Sequence, residues 1–420
     1  MRSDRTWRRR GLGPRGFGAL GHRGSRRWVD ARLTQLIAQR ADLGEQPPHG
    51  IFQPFDTLQI AHVDMGASPG SACCHMARPL IPHARIPFGH MLAFGWMPSP
   101  LKVWAYRTFL RYRIGPGVSI GPGAAVVGED VEIAEGVTIG LLAVVQGRHI
   151  KIGRHSKIGT MSYVSCERIE IGEDAWIAEQ VYVGGPPLPE SLFRLGSRTI
   201  VLQQTNINPT KPVIIGDDTG IGGHCLIFTH GAWLNVLDGY PATYEPVTIG
   251  KCVWLPWRVF VMPGSTIGDG SVIGANSLIT GAIPPYSLAL GTPAKVIRQA
   301  PEWPKKPTPE EQAALVATMV AEFDRFATYK GVTITEEPPF RVYTRGGNRY
   351  RLLWLRGGGD IAAAVAGDTV LAEIPVGTGK VAKGVYWLDL AGRTRSADGS
   401  PLTEELALFI RRYGIRLPRV

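Results

Sequence analysis

Residues 247–283 read VTIGKCVWLPWRVFVMPGSTIGDGSVIGANSLITGAI, and an aliphatic residue returns at every sixth position: Ile249, Leu255, Val261, Ile267, Ile273 and Ile279. Glycine follows directly at Gly250, Gly268 and Gly274, and a small or aliphatic residue sits four places on, as at Val253, Ser265, Ser271 and Ser277. Six residues at about 3.3 Å each make one short strand and a corner. An inward aliphatic at the start of each strand and a residue without bulk at the bend then describe one side of a coil. Three sides close a triangular turn, as from Ile249 to Ile267. Turns stack about 4.8 Å apart through parallel ladder hydrogen bonds, each burying its stripe only against its neighbours. A helix cannot carry this pattern, because six does not fit a period of 3.6 and glycines this dense break helices. The period is too strict for scattered hairpins. The expected fold class is mainly β, a parallel β-helix.

The same signal extends upstream. Ile114-Gly115, Ile120-Gly121, Ile133, Ile139-Gly140 and Val145 carry it first, with Val118, Ala124 and Val137 at the fourth position. Then come Ile152-Gly153, Ile158-Gly159, Val164, Ile171-Gly172, Ile177, Val183-Gly184, Ile215-Gly216, Ile221-Gly222 and Ile227. The period predicts a β-helix over 114–298. Two stretches, 186–211 and 231–246, break it and are expected to be loops projecting from corners. Loops on a rigid scaffold commonly carry function, and the second begins directly after His230. Its aromatics Trp233, Tyr240 and Tyr244 are candidate walls of a substrate pocket.

Residues 213–298 resemble the catalytic core of hexapeptide-repeat acyltransferases, specifically sugar O-acetyltransferases of the galactoside and maltose type. The likeness is closest over PVTIGKCVWLPWRVFVMPGSTIGDGSVIGANSLITGAIPPYSLALGTPAKVIR, where the tail IPPYSLALGTPAKVIR is far more specific than any one repeat. Parallel crossovers are normally right-handed, so a left-handed parallel β-helix is what the resemblance implies, not the period.

The resemblance also implies a reaction. A histidine general base takes the proton of an acceptor hydroxyl, which attacks the thioester of acetyl coenzyme A directly; imidazole suits that task near neutral pH. The family histidine falls on His230, in Phe228-Thr229-His230. Coenzyme A would lie in a groove between subunits of a homotrimer, against Trp257, Ala275, Thr280, Gly281, Lys295 and Arg298. Lys295 and Arg298 suit phosphate, one as a point charge and the other as a planar fork. Two departures stand out. Leu255-Pro256-Trp257 replaces an aliphatic, a glycine and a small residue, and Gly281 replaces a lysine. The implied acceptor is a sugar hydroxyl on a saccharide or glycolipid precursor. Transfer to an amino-sugar nitrogen uses the same base. A non-catalytic scaffold, with Trp257 filling the donor groove, is the reading from another class.

The remaining histidines raise a zinc alternative. His149 and His155 are six apart, as are His224 and His230, which puts each pair at equivalent positions on consecutive sides. The β-helical carbonic anhydrases hold zinc with three histidines, but they include a pair five apart that is absent here, so no metal is expected. His224 is instead a candidate hydrogen-bond partner of His230 or of the substrate.

Around the repeat, the chain is uneven. It has 52 glycines among 420 residues, where average usage of about 7% predicts about 29. Residues 1–40 hold eleven arginines and two acids, Asp4 and Asp30, so they carry +9 of a formal total of +11. A nucleic-acid partner would rest on this arm alone and is not expected; residues 1–90 read as a basic, disordered extension, with Met91 a candidate start. Arg8-Arg9-Arg10 is not followed by the apolar core of a signal peptide, and no apolar run is long enough to span a membrane. The five cysteines (Cys73, Cys74, Cys166, Cys225, Cys252) form no C-x-x-C pair, so a reducing, cytoplasmic compartment is the expectation. Cys73-Cys74-His75 lacks metal-ligand spacing.

Residues 91–113 are expected to cap the first coil, with an amphipathic helix over Pro98–Arg113 built on Leu101, Val103, Trp104, Phe109 and Leu110, and its basic, aromatic character admits membrane-surface contact. After Arg298 a proline-rich linker leads into 299–420, a small α+β module. A helix starts at Thr308 and runs to about Tyr329, strands follow at Phe340–Tyr343, Tyr350–Leu355, Val370–Ile374 and Val385–Leu390, and Leu402–Tyr413 closes with a helix. Acceptor binding, covering the coil end and assembly are all open to this module.

Overall fold

The computed structural model describes residues 86–186, 188–356, 361–373, 376 and 381–420. The basic arm, the Cys73-Cys74-His75 cluster and the rest of the extension expected before residue 86 lie outside the described residues. From Arg113 onward the chain winds a solenoid with three β faces. The first face has nine parallel strands, from Arg113–Ile114 to Ala282–Ile283. The second has ten, of which the last, Ala294–Gln299, runs back antiparallel to Ser287–Gly291. The third has eight, from Ala125–Val127 to Leu278–Ile279.

The stripe read from the sequence is the core. Ile152, Ile171, Leu195, Ile215, Ile249 and Ile267 form one register column, each pairing with the residue one coil away, and all are buried. Corners use a left-handed residue three places after the aliphatic: Asp218 (φ 57), His224 (φ 55), Cys252 (φ 54), Arg258 (φ 62) and Asn276 (φ 58). Each such non-glycine corner costs about 1–2 kcal/mol, which stacking must offset. The glycine directly after the aliphatic has a different role. It relieves no turn strain; it lets two coils approach, since a Cβ on Gly216 would lie 2.7 Å from the Gly250 carbonyl carbon.

The small residue at the fourth position often carries a buried hydroxyl, and this hydroxyl ties coil to coil. Thr199 Oγ1 donates to Gly216 O (2.8 Å) and accepts from Thr219 N (3.2 Å). Thr219 Oγ1 repeats the pattern with Gly250 O (2.8 Å) and Val253 N (3.1 Å). Buried backbone groups at the bends are thereby satisfied.

One expected loop is not a loop. Residues 192–213, inside the stretch read as an interruption, form another complete coil: Leu192–Leu195, Ile200–Val201 and Asn206–Asn208, followed by Val213–Ile215. Leu195, Val201, Ile207 and Val213 keep the six-residue period and are buried. Leu202 and Asn208 stand where glycine marks other repeats, which hides the pattern. The interruption is confined to the segment between Val183 and Leu192.

At the N-terminal end, α1 (Phe88–Phe94) and α2 (Ser99–Phe109) cover the first coil. α1 runs across residue 91, and His90 Nε2 lies 2.8 Å from the Tyr106 hydroxyl. α2 is shorter than expected, because Arg111 turns left-handed (φ 56) and Arg113 already starts a strand. Its buried side is Lys102, Val103, Ala105 and Tyr106. Leu101, Trp104 and Phe109, expected to face the coil, are exposed.

The C-terminal module has α3 (Pro309–Tyr329), whose N-cap Thr308 forms a capping box with Glu311, a six-stranded mixed sheet and α4 (Pro401–Ile410). Both helices share a core with one sheet face through Val320, Phe323, Tyr343, Leu371, Leu406 and Phe409. Phe340, Val342, Leu353, Val370 and Trp387 form a second core. The module touches the side of the solenoid rather than its end: Arg416 Nη1 donates to Asp218 O at 2.8 Å, at the edge between the first and second faces.

Candidate active site

His230 stands where the regular coil gives way to a loop. The strand Leu226–Phe228 on the third face ends at buried Thr229, whose Oγ1 donates to Asn208 O (2.7 Å) and accepts from Lys211 N (2.9 Å). With its neighbour pinned, His230 enters a two-residue strand, His230–Gly231, paired antiparallel with Thr243–Tyr244. The 231–246 segment is therefore a hairpin excursion. Inside it, Asn235 caps the short helix Val236–Asp238 by accepting from Leu237 N (3.0 Å), and Gly239 (φ 88) turns the chain back.

The imidazole is half-buried and nearly parallel to two aromatic rings, Tyr244 at 5.9 Å and Phe228 at 6.4 Å. Its Nδ1 is buried and has no hydrogen-bond partner. An unmet buried nitrogen costs about 1–3 kcal/mol, and such groups in native proteins call for an explanation such as a ligand.

The other candidates sort onto different edges. Thr280 and Gly281 share the edge of His230, two coils further on, or about 10 Å along the axis. Trp257 and Ala275 lie at the opposite end of the third face, one six-residue side away, a span of at most about 20 Å. His224 is on that same far edge; it is exposed and its ring lies 5.5 Å from Trp257. His224 thus packs on Trp257 and forms no hydrogen bond with His230 Nδ1. Trp257 lies flat over the preceding coil, where a Cβ on Gly223 would meet its ring at 2.2 Å. Lys295 and Arg298 are exposed on the hairpin strand Ala294–Gln299, and neither forms an ion pair among the described residues. One chain therefore leaves His230 on a different edge from Trp257, Ala275, Lys295 and Arg298.

The loop aromatics divide as well. Tyr244 lies against His230, whereas Trp233 is 96% exposed and Tyr240 half-exposed. Leu234, Val236 and Leu237 join Trp233 as exposed apolar side chains at the loop tip. A feature that sequence reading missed is the apolar row on the third face: Leu226, Phe260 and Leu278 are in register and partly exposed, with Phe228 packed edge-on to Phe260 at 5.5 Å. Their alternation with Ile227, Val261 and Ile279 was the available signal.

Among the described residues no group of three or more His, Cys, Asp or Glu side chains converges as a metal site. His149 sits 3.6 Å from Asp130 and His155 occupies a left-handed corner (φ 56). Cys166 and Cys225 are buried thiols pushed up to about 11 by desolvation, and Cys252 is free and exposed.

A parallel β-helix of six-residue repeats with a histidine at a loop-bearing corner defines a class, and the chain resembles the hexapeptide-repeat acyltransferases. It is similar to the galactoside O-acetyltransferase of Escherichia coli, 37% identical over 123 residues that cover 26% of this chain and 59% of that protein. It is also similar to a protein of Mycobacterium tuberculosis named as a probable acetyltransferase, 35% identical over 114 residues covering 26% and 38% of the two chains. The match thus spans less than two thirds of either relative. Among solved structures, a hexapeptide-repeat acetyltransferase of Vibrio cholerae complexed with acetyl coenzyme A aligns with 19% identity over 50% of this chain and 84% of that one, with a TM-score of 0.24. No family model matches the chain.

Proposed function

We propose that the protein transfers an acetyl, or similar acyl, group from coenzyme A to a sugar hydroxyl of a saccharide or glycolipid precursor. The observation that carries this reading is His230, half-buried between aromatic rings with an unpartnered buried nitrogen, inside the stretch 213–298 whose sequence resembles sugar O-acetyltransferases. The acceptor hydroxyl gives its proton to the imidazole as its oxygen bonds to the thioester carbon. The carbon–sulfur bond then breaks, and the leaving thiolate takes the proton from the imidazolium. Lys295 and Arg298, cations without ionic partners among the described residues, suit the phosphates of the donor. Trp257, Ala275, Thr280 and Gly281 line the proposed path of its pantetheine arm, and Tyr244, with Trp233, Tyr240 and His224, is the proposed acceptor contact set.

Because these groups occupy two edges of the solenoid, a second copy would complete each site. A homotrimer meets that need. The apolar row Leu226–Phe260–Leu278 and the exposed loop tip around Trp233 are surfaces such a neighbour would cover. Among the described residues no helix is long and apolar enough to cross a membrane, and the free thiols suit a reducing, cytoplasmic setting. Domain boundaries near 91, 113 and 298, and a supporting role for 299–420, belong to the same proposal. Transfer to an amino-sugar nitrogen would use the same base.

The test is release of free thiol from acetyl coenzyme A against a panel of mono- and oligosaccharides. The expected result is that at least one sugar raises turnover above the rate without acceptor. If coenzyme A neither turns over nor binds, the scaffold reading replaces this one, with Trp257 on Gly223 as its structural basis.

A further inference from the structure

α2 is amphipathic in the wrong direction. Its inward side holds Lys102, fully buried, with the ammonium donating to Gly95 O (2.9 Å), Gly121 O (2.8 Å) and Ala124 O (3.2 Å). Its outward side holds Leu101 and Trp104, and Phe109 beyond them packs edge-on to Trp104 at 5.5 Å. α1 and the turn after it add Phe88, Leu92 (77% exposed) and Trp96 (75% exposed). Six large apolar side chains thus face outward between Phe88 and Phe109, at one end of the solenoid. Scattered exposed apolar residues need no explanation, but a cluster of this size marks an interaction surface.

Charge says what covers it. No Asp or Glu occurs anywhere from residue 65 to residue 128, and Arg107 and Arg111 are exposed around the cap without a carboxylate partner among the described residues, whereas Arg113 pairs with Asp130 and Glu132. A second cap would bring Arg107 and Arg111 against the same pair of cations with no acid on the cap itself to offset them, which disfavours self-association here. Tryptophan, phenylalanine and leucine interleaved with arginine is the chemistry of a segment lying in the interface of an anionic lipid bilayer, rings at headgroup depth and guanidinium groups on phosphate. The arginine-rich stretch 1–40 upstream, at +9, adds attraction of the same sign.

We propose that the α1–α2 end of the solenoid docks on an anionic membrane surface, leaving the rest of the coil standing away from the lipid. An acceptor carried on a lipid would then meet an enzyme already at the surface. The docking does not depend on the transfer reaction, and its test reads binding alone.

The full-length protein is mixed with phosphatidylcholine vesicles and with vesicles containing phosphatidylglycerol, and the bound fraction is measured by flotation at low and high salt. The expected result is binding to the anionic vesicles that weakens with salt. Joint Trp96→Ala, Trp104→Ala and Phe109→Ala should lower partitioning about tenfold or more, without changing the thermal transition. Trp96→Ala alone, at a side chain without ring contacts, should give a smaller loss in the same direction. Three results overturn the proposal. The first is no preference for anionic vesicles. The second is equal binding by the triple variant, which assigns binding to the arginine-rich stretch alone. The third is a change of oligomer size in the triple variant, which makes the patch a protein contact. Binding that appears only after removal of residues 1–85 would also overturn it, since that segment would then cover the face.

Discussion

His230→Ala is expected to lower kcat for acyl transfer about a hundredfold or more, the scale of losing a positioned general base, while coenzyme A still binds. The separation of the two effects follows from placement. His230 sits on the edge between the third and first faces, and the cationic pair Lys295 and Arg298 on a hairpin of the second face. Removing the imidazole leaves the cations and Trp257 untouched. The fold should survive as well, because the ring is half-buried and its Nδ1 satisfies no other group. Calorimetric titration of coenzyme A and thiol-release kinetics on the same preparation check both halves. His224→Ala is the matched control: its ring packs on Trp257, one side of the coil away from His230, so it should shift KM while leaving kcat within a few-fold of wild type.

Lys102→Met is expected to destabilise the solenoid by about 3–5 kcal/mol, since three buried carbonyls lose charge-assisted partners. Methionine keeps most of the volume, so the loss reports the hydrogen bonds rather than a cavity. Burial lowers the lysine pKa from its usual value, yet the ammonium is the donor that closes the open carbonyls of Gly95, Gly121 and Ala124. Two of these belong to the first coil, whose outer side has no preceding coil to pair with. Urea unfolding reads the effect; a loss below about 1 kcal/mol would mean that water serves these carbonyls as well.

The solenoid was legible because the inward column imposes one period on the whole coil, and Ile249 to Ile279 displays it without a gap. Where a repeat lacks its glycine, at Val201-Leu202 and Ile207-Asn208, the same column is present but unmarked, and a full coil looks like a loop in the sequence. The orientation of the capping helix is illegible in the sequence for a non-local reason. Lys102 faces inward because of carbonyls on residues 95, 121 and 124, and no helical periodicity contains that information, so the side of the helix that meets the coil cannot be read from the spacing of Leu101, Trp104 and Phe109. His230 stands out in the sequence through its place before the 231–246 loop and within the stretch 213–298 that carries the resemblance. Its partition from Trp257 and Lys295 was not found, because the edge a residue occupies depends on where excursions such as 231–246 reset the count.

That partition makes the central claim testable in one mixture. His230→Ala and the double variant Lys295→Ala with Arg298→Ala are each expected to be nearly inactive. Refolded or expressed together in equal amounts, they should recover about a quarter of wild-type turnover, because in a ring each site would take its base from one copy and its phosphate contacts from the next. A mixture no more active than its separate components would contradict a site shared between copies.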